Sequence, residues 1–560
     1  MDVGIAKIVT TAGASSGLIL TVNAHHYRVF RAVLGTMVLG GALLGFAGAM
    51  KGAGDHWVDA VGSVQLLPAA IAAAGGGTIA AAAVAIVLLL TLLFGRVYCS
   101  LLCPLGLCMD VAARLAGKAG KNRRLPYKHG HTWVRGVVLV VLLGSLAAGT
   151  PVILGFMDPF SLFGRMTAAT VRPATSALAD ALAAARFGRM SGNLMPAATV
   201  LWIGLGLMVV VLGLAVWRGR LWCNTVCPVG TVLGLISRFS LFGLRIQPSS
   251  CVSCAQCEKV CPSQCIDFRS GTVDHSRCVM CMKCTTICRK SAVNFVWLPG
   301  RNVVVAPGPQ APVARRAMPS SPPVARRGFL IAIATLAGRV TAEDEESGED
   351  HGERAGEGER RGGGRGRGRG DGRGRGGDNG SGESHESHGP RVRTLPPGAG
   401  NAGRFHDACT ACHLCVARCK GQVLRPALAE NGWRGFLQPI MDLQRGFCAD
   451  DCHACGDVCP TGAILPLSHA LKRATRIGTV KFRRGRCVVK REDKECAKCA
   501  DVCPTGAIRM VSFRGGLEIP EVDDALCNGC GACEFVCPAS PEKAITVDGV
   551  PSQSVLDTGR

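Results

Sequence analysis

No nucleotide-binding fingerprint, flavin-attachment signal or catalytic triad occurs in these 560 residues. Substrate chemistry of the hydride- or acyl-transfer kind therefore belongs to a partner. Aromatic residues make up 5% of the chain. None interleaves the Arg-Gly repeats after Arg360, which removes the stacking platform that a single-strand nucleic-acid binder needs. Methionine is scattered rather than clustered in the apolar runs, so no Cu(I) path is written there. Acidic residues are outnumbered, 40 against 63 Lys and Arg, for a formal charge of +23. That figure counts every cysteine as neutral. Six thiolate quartets holding oxidised cubane cores would bring the loaded protein to roughly +11. Basicity alone is thus a weak argument for nucleic acid, and none is expected as a partner.

What the chain has is cysteine, thirty in all. A disulfide scaffold suits short secreted chains, not one of this length. Twenty-four of the thirty fall into six quartets, and a repeated spacing of that kind means metal ligation. Cys251 to Cys288 reads C-x2-C-x2-C-x3-C twice, with Pro262 behind the first run. Zinc usually takes two pairs split by a loop. Four thiolates within eleven residues suit a [4Fe–4S] cluster, with the fourth Cys serving the neighbouring cluster. Cys251, Cys254, Cys257 and Cys288 make one ligand set. Cys278, Cys281, Cys284 and Cys261 make the second.

Four apolar runs precede this stretch: Val29 to Met50, Ile79 to Phe94, Val134 to Gly155 and Pro196 to Trp217. Each is near bilayer length, the second when Pro68 to Gly77 extends it. Lys and Arg cluster before the first run, between the second and third, and after the fourth, which places both ends in the cytoplasm. Arg165, Arg172, Arg186 and Arg189 dilute that signal in a loop from Phe156 to Leu194. Runs two and four end in matched motifs, C-x3-C-P at Cys99 and Cys103 and again at Cys223 and Cys227. On a helix such cysteines share a face. Three roles fit these candidate redox thiols: a seventh cluster, redox dithiols, or the lining of a quinol pocket. Cys108 and Cys265 have no partner in sequence and read as structural.

Spans, paired C-x3-C-P motifs and a following two-cluster module resemble the NapH family, with MauN similar, over about residues 25 to 298. The resemblance implies a membrane subunit that oxidises quinol for a periplasmic nitrate reductase, with both clusters on the cytoplasmic side.

Beyond residue 298 the composition turns to Pro, Ala and Arg. Ala325 to Gly338 resembles a twin-arginine export signal, here internal, either cleaved at the small residues Val340-Thr341-Ala342 or kept as an anchor. Residues 343 to 400 are Gly-, Arg- and Glu-rich and read as a tether that forms no core. His351, His385 and His388 are too sparse for a metal site.

Four quartets follow: Cys409, Cys412, Cys415, Cys419; then Cys448, Cys452, Cys455, Cys459; Cys487, Cys496, Cys499, Cys503; and Cys527, Cys530, Cys533, Cys537. The run Cys409 to His413 matches C-x-x-C-H, a haem-attachment sequence. The same cysteines complete a ferredoxin quartet, so haem is not the reading. P-T-G-A-I tails at Pro460 and Pro504 fit strand starts packed over a cluster.

The uneven third quartet and the C-x3-C start of the second are similar to the NapG family and its relative MauM. That resemblance covers residues 401 to about 548. It implies that the first quartet shares ligands with the fourth and the second with the third. Carried over, the sets are Cys409, Cys412, Cys415 with Cys537; Cys527, Cys530, Cys533 with Cys419; Cys448, Cys452, Cys455 with Cys503; and Cys487, Cys496, Cys499 with Cys459.

The sequence thus predicts a multidomain chain: a four-span α-helical membrane bundle plus α+β ferredoxin-like modules, one of two clusters and one of four. The boundaries are 1–245, 246–298, a linker over 299–342, the tether over 343–400, and 401–560. The expected role is a quinol-oxidising electron conduit through six [4Fe–4S] clusters, rather than an enzyme that converts substrate alone. Its partners would be the bilayer, the quinone pool and a periplasmic oxidoreductase or cytochrome. The expected location is the bacterial inner membrane, multi-pass, with the C-terminal domain carried to the periplasm if the internal signal acts. The rivals are a maturation factor that supplies electrons to copper or another cofactor, and a sensory module without turnover.

Overall fold

A computed structural model describes residues 6–9, 19–22, 24–48, 57, 60–118, 127, 132–147, 152–187, 198–298, 393–428 and 430–556. The described residues form one compact unit. The twin-arginine segment and nearly all of the tether lie outside the described residues.

The apolar runs form helices. The first is α1, Ala24–Phe46. At 1.5 Å per residue its 23 residues reach about 34 Å. Next come α2 (Leu66–Ala74) and α3 (Thr78–Phe94). They do not join into one span: Gly75 and Gly76 end α2, Gly76 at φ +93°, and the chain turns back. The proposed extension of the second run is thus a helix pair. Then follow α4 (Tyr98–Leu101), α5 (Pro104–Lys118), α6 (Thr132–Ala147), α7 (Val152–Met157), α8 (Pro159–Phe187) and α9 (Ala198–Arg218). The last pair is α10 (Leu221–Thr225) and α11 (Pro228–Ser237). Among the described residues two helices, α1 and the stretch Leu201–Arg218 of α9, are long and apolar enough to cross a membrane. Helices α3 and α6, with 17 and 16 residues, are shorter. The loop expected from Phe156 to Leu194 is largely α8.

The two-cluster module packs on the end of the helices marked by the N-terminus of α1. Strands β1 (Ala6–Val9), β2 (Ile19–Val22), β3 (Phe242–Ile246) and β6 (Val293–Trp297) form one sheet in the order β1-β2-β6-β3. A small hairpin, β4 (Ile266–Asp267) with β5 (Thr272–Val273), lies between its cysteine runs. Tyr27 Oη donates to the Met280 carbonyl at 3.0 Å, and Arg28 to Thr286 Oγ1 at 3.1 Å.

The C-terminal module meets the other end of α1. A Cβ on Gly48, just past α1, would lie 3.0 Å from the Ala417 carbonyl. Its strands pair locally: β7 (Leu424–Pro426) with β8 (Pro439–Met441), and β10 (Ile508–Ser512) with β11 (Glu518–Val522). The longest ladder joins β9 (Thr475–Phe482) to β12 (Ile545–Val555). Leu395 and Ala399 are buried in this core, so the module begins at residue 393, inside the stretch expected to be tether. The tail after Pro504 does open a strand at Ile508. The tail after Pro460 does not; Ile464 is buried and its amide points at Cys459 Sγ, 3.4 Å away.

Candidate iron–sulfur and thiol centres

In four of the six quartets the residues second and fourth after the leading Cys hold positive φ. They are Ser253 and Ala255, Met280 and Met282, Ala411 and His413, and Gly529 and Gly531. L-residues avoid this region, so six non-glycine exceptions at matched positions mean a backbone held by its surroundings. Alternating left-handed residues turn successive amides inward into an anion-binding nest, as iron–sulfur sites use. A short helix follows each loop and carries the third Cys: Gln256–Lys259, Lys283–Ile287, Leu414–Arg418 and Ala532–Val536. Burial pushes the thiols of Cys284, Cys409 and Cys415 up. Such groups become thiolates when a cation binds. Among the described residues no three His, Cys, Asp or Glu side chains close around one point as a single ion requires. The nests and the wider quartets fit a four-iron core.

In the first module Cys261 neighbours Cys281 and Cys284, and Cys251 and Cys254 neighbour Cys257. Cys265 is not isolated. Its sulfur lies 3.5 Å from Cys261, and Cys278 is also a partner. This contact holds the Cys261 thiol below the usual thiol range, and either sulfur can donate.

The C-terminal module differs from expectation. Cys459 neighbours Cys409, Cys412 and Cys415, and Cys419 neighbours Cys448, Cys452 and Cys455. Cys537 lines a recess with Cys487, Cys496 and Cys499. Cys503 neighbours Cys527 and Cys530. The exchange of fourth cysteines therefore runs between consecutive quartets, first with second and third with fourth. The reason is local: the short helices that carry the third cysteines pack together within each consecutive pair, Leu414–Arg418 on Ala454–Asp457 and Lys498–Asp501 on Ala532–Val536. His413 is buried, and its Nε2 donates to the Leu437 carbonyl at 2.9 Å, a packing role.

The four thiols of the C-x3-C-P motifs also converge, though not as expected. Each C-x3-C-P is a short helix, a break, and a new helix with Pro at its start, so the cysteines of a pair are not stacked on one helix. Cys103 and Cys227 instead begin α5 and α11, and their sulfurs accept the Gly106 and Gly230 amides at 3.4 and 3.3 Å. Cys99, Cys103, Cys223 and Cys227 are all buried and mutually adjacent.

Two arginines, Arg220 among the charges that follow the fourth apolar run, lock the halves together by exchange. Arg96 of the first repeat donates to the Cys223 carbonyl at 2.9 Å and to Asn224 Oδ1 at 2.8 Å. Arg220 of the second donates to the Cys99 carbonyl at 2.6 Å. The signal was in the sequence: both motifs carry Gly-Arg ahead of the first Cys. Gly95 and Gly219 adopt φ +76° and +65°, ending their helices there. Arg220 also grips both oxygens of Asp110, at 3.0 and 2.9 Å, and Arg31 donates to the same carboxylate. Arg96 further holds the Ser276 carbonyl at 3.1 Å, tying the thiols to the two-cluster module.

Arg165, set aside above as a loop charge, reaches from α8 to the first C-terminal quartet. Its guanidinium donates to the carbonyls of Phe156 at 2.6 Å, Gly155 at 3.1 Å and Thr410 at 3.4 Å. A Cβ on Gly164 would overlap the Cys412 carbonyl, so only glycine permits this approach. Phe46 packs with Phe160 and Phe163 beside it, centroids 5.3 and 6.0 Å apart. One buried core therefore holds Val279 and Cys281 of the first module, the four thiols, and Leu414 and Val458 of the last, with Cys412 packed against it.

A family model described as a 4Fe-4S binding domain matches twice, at residues 77–122 and 200–247, over both C-x3-C-P repeats. A second, a 4Fe-4S dicluster domain, matches residues 494–540. The ferredoxin-type protein NapF of Escherichia coli is 31% identical over 153 residues, 27% of this chain and 83% of that protein. The methylamine utilization ferredoxin-type protein MauN of Paracoccus denitrificans is 31% identical over 178 residues, 30% of this chain and 50% of MauN. MauM of Methylophilus methylotrophus, a ferredoxin-type protein of the same system, is 34% identical over 155 residues, 25% of this chain and 65% of MauM. No solved structure matches.

Proposed function

We propose that this chain, which belongs to the ferredoxin-type [4Fe–4S] proteins of the NapF, MauM and NapH/MauN kind, is a quinol-oxidising electron conduit of the cytoplasmic membrane. It joins a NapH-like half to a NapG-like half. The first-module ligand sets are Cys251, Cys254, Cys257, Cys288 and Cys278, Cys281, Cys284, Cys261. The C-terminal sets follow the neighbours described above: Cys459 completes the first quartet's set, Cys419 the second's, Cys537 the third's and Cys503 the fourth's. Cys99, Cys103, Cys223 and Cys227 hold a seventh cluster. Bound clusters supply one-electron carriers, so a quinol that gives up two electrons and two protons needs two such acceptors.

The chain's own residues do the rest. Arg96 and Arg220 place two cations at four thiolates whose cluster would carry a net charge of about −2. Helix starts at Cys103 and Cys227 add amide donors. Arg165 and Gly164 seat the C-terminal module against the helices. A terminal acceptor, a periplasmic oxidoreductase such as nitrate reductase, takes electrons from that module after its export.

The observation that supports this reading most is the continuous buried core from Cys281 through the four thiols to Leu414 and Cys412. The test is anaerobic reduction in membranes by a short-chain quinol, followed by absorbance and paramagnetic resonance. The expected result is reduction of clusters in both modules. Reduction by dithionite but never by quinol sinks the proposal. Protease access in intact spheroplasts checks the side of residues 393–556.

One contact favours a second reading, the handling of Cu(I) for a maturing partner. The Met109 sulfur lies 3.8 Å from Cys223 Sγ, a soft pair that suits that ion. Stoichiometric copper in purified protein, in place of extra iron, would select it.

A further inference from the structure

A cavity of about 610 Å³ opens between α1 and α5 and takes no part in cluster ligation. Its size is within the range of small-molecule sites. Its lining is divided. One end is charged, with Arg28, Arg31, Asp110, Arg114 and Lys283, and His25 beside them. The other is apolar and small, with Gly35, Leu39, Gly40, Leu43 and Leu107. The adjoining face of α1 exposes Val29, Val33, Met37 and Leu44, so the apolar end continues into a greasy surface.

The floor of the charged end is built. Arg31 and Asp110 are 5% and 3% exposed, and the carboxylate is shared between Arg31 and Arg220. Arg31 Nε donates to the Ser100 carbonyl at 3.3 Å, and Arg220 to that of Cys99. On the opposite side Lys283 sits in sequence between Cys281 and Cys284. The cavity thus reaches the second cluster's loop directly at Lys283, and the thiol quartet through Asp110 and Arg220. Buried charges at the foot of a lipid-facing cleft mark a functional site by default.

From this division we infer that the α1–α5 cavity binds membrane quinol, its ring at the Arg31–Asp110 floor and its isoprenoid tail along Gly40 and Leu43. The inference rests on the conduit reading and places its substrate. A polar ring with two oxygens and a long apolar tail matches a site with one charged end and one greasy end. An anionic lipid offers the same charge complement to Arg28 and Arg114. It has no use for a floor buried beside the redox centres.

The test uses the full, iron-loaded chain in nanodiscs of zwitterionic lipid, photolabelled with an azido-quinone. Labelled peptides are expected from 24–46 and 104–118. Gly40→Phe fills the cavity: a Cβ there meets nothing within 4 Å, so the ring enters open space without moving backbone. It should cut labelling and quinol-driven reduction about tenfold or more, with iron content and dithionite reduction unchanged. Gly213→Phe on α9, also open, should leave both as in the native chain. Labelling elsewhere, or no loss with Gly40→Phe while quinol still reduces the clusters, overturns the site and leaves the conduit standing. Displacement of the label by anionic phosphatidylglycerol with reduction unaffected makes it a lipid site and overturns the inference. If quinol reduces nothing in the native chain, the conduit reading falls and takes this one with it.

Discussion

The sulfur of Cys265 lies 3.5 Å from that of Cys261, inside the core of the first ferredoxin module. With Cys261 as a metal-bound thiolate, the Cys265 S–H is the donor. A hydrogen bond to a cluster sulfur stabilises the reduced, more negative form and raises the potential. One such bond contributes about 1 kcal/mol, or about 40 mV for one electron. Cys265→Ala is therefore expected to lower the midpoint of the Cys261 cluster by that order, with iron content unchanged. Redox titration followed by paramagnetic resonance measures it. Loss of the cluster instead would mean that Cys265 is itself a ligand.

Arg165 gives the next expectation. It is buried, and its donors go to carbonyls on both sides of a junction, Phe156 and Gly155 on one and Thr410 on the other. Charged hydrogen bonds of this kind are worth about 1.5–3 kcal/mol each. Arg165→Leu should weaken the seating of the C-terminal module by about 2–4 kcal/mol. With a protease site placed among residues 361–377, the cleaved C-terminal fragment should stay with membranes in the native chain and leave them in the variant. Retention in both would show that the apolar core shared by Phe46, Leu414 and Val458 is sufficient.

Much of this was legible in the cysteine spacing. The apolar runs do form helices, although among the described residues only α1 and part of α9 reach membrane-spanning length, and the paired C-x3-C-P motifs do meet. What the spacing could not say was which distant cysteine closes each set. Cys459 and Cys537 are equally placed in sequence to serve any neighbour, and only the packing of consecutive quartets decides. Arg165 and Arg220 were hidden for another reason. A charge at a helix end counts as topology signal until a buried carbonyl or carboxylate is found facing it. Gly75 and Gly76 likewise sit in an apolar run that hydropathy cannot distinguish from a span, and their turn shows in the backbone alone.

Iron content gives a direct count. Six clusters require about 24 iron atoms per chain and seven about 28. Replacing Cys99 and Cys227 with Ser removes one thiol from each repeat. It should lower anaerobically assembled protein by about four irons, with the nests at Cys251 and Cys409 untouched. Equal iron before and after would leave the four thiols as dithiols and end the seventh-cluster assignment.

The Arg31–Asp110–Arg220 group offers a ranking rather than a single value. All three are nearly enclosed, at 5%, 3% and 1% exposure. Asp110→Asn removes the one anion and leaves two guanidiniums facing each other. Uncompensated buried charge of that kind costs about 3–5 kcal/mol. Arg220→Met removes one cation, and Asp110 keeps Arg31. What is lost is the bond to the Cys99 carbonyl and the two bonds to Asp110, whose charge Arg31 still balances, a loss of about 2–3 kcal/mol. Asp110→Asn should therefore be the more damaging change, although it is the smaller one in volume. Thermal unfolding of both variants in detergent, read by helix signal, tests the order. The reverse order would mean that the Arg220 hold on the Cys99 carbonyl, rather than charge balance, keeps the two repeats together.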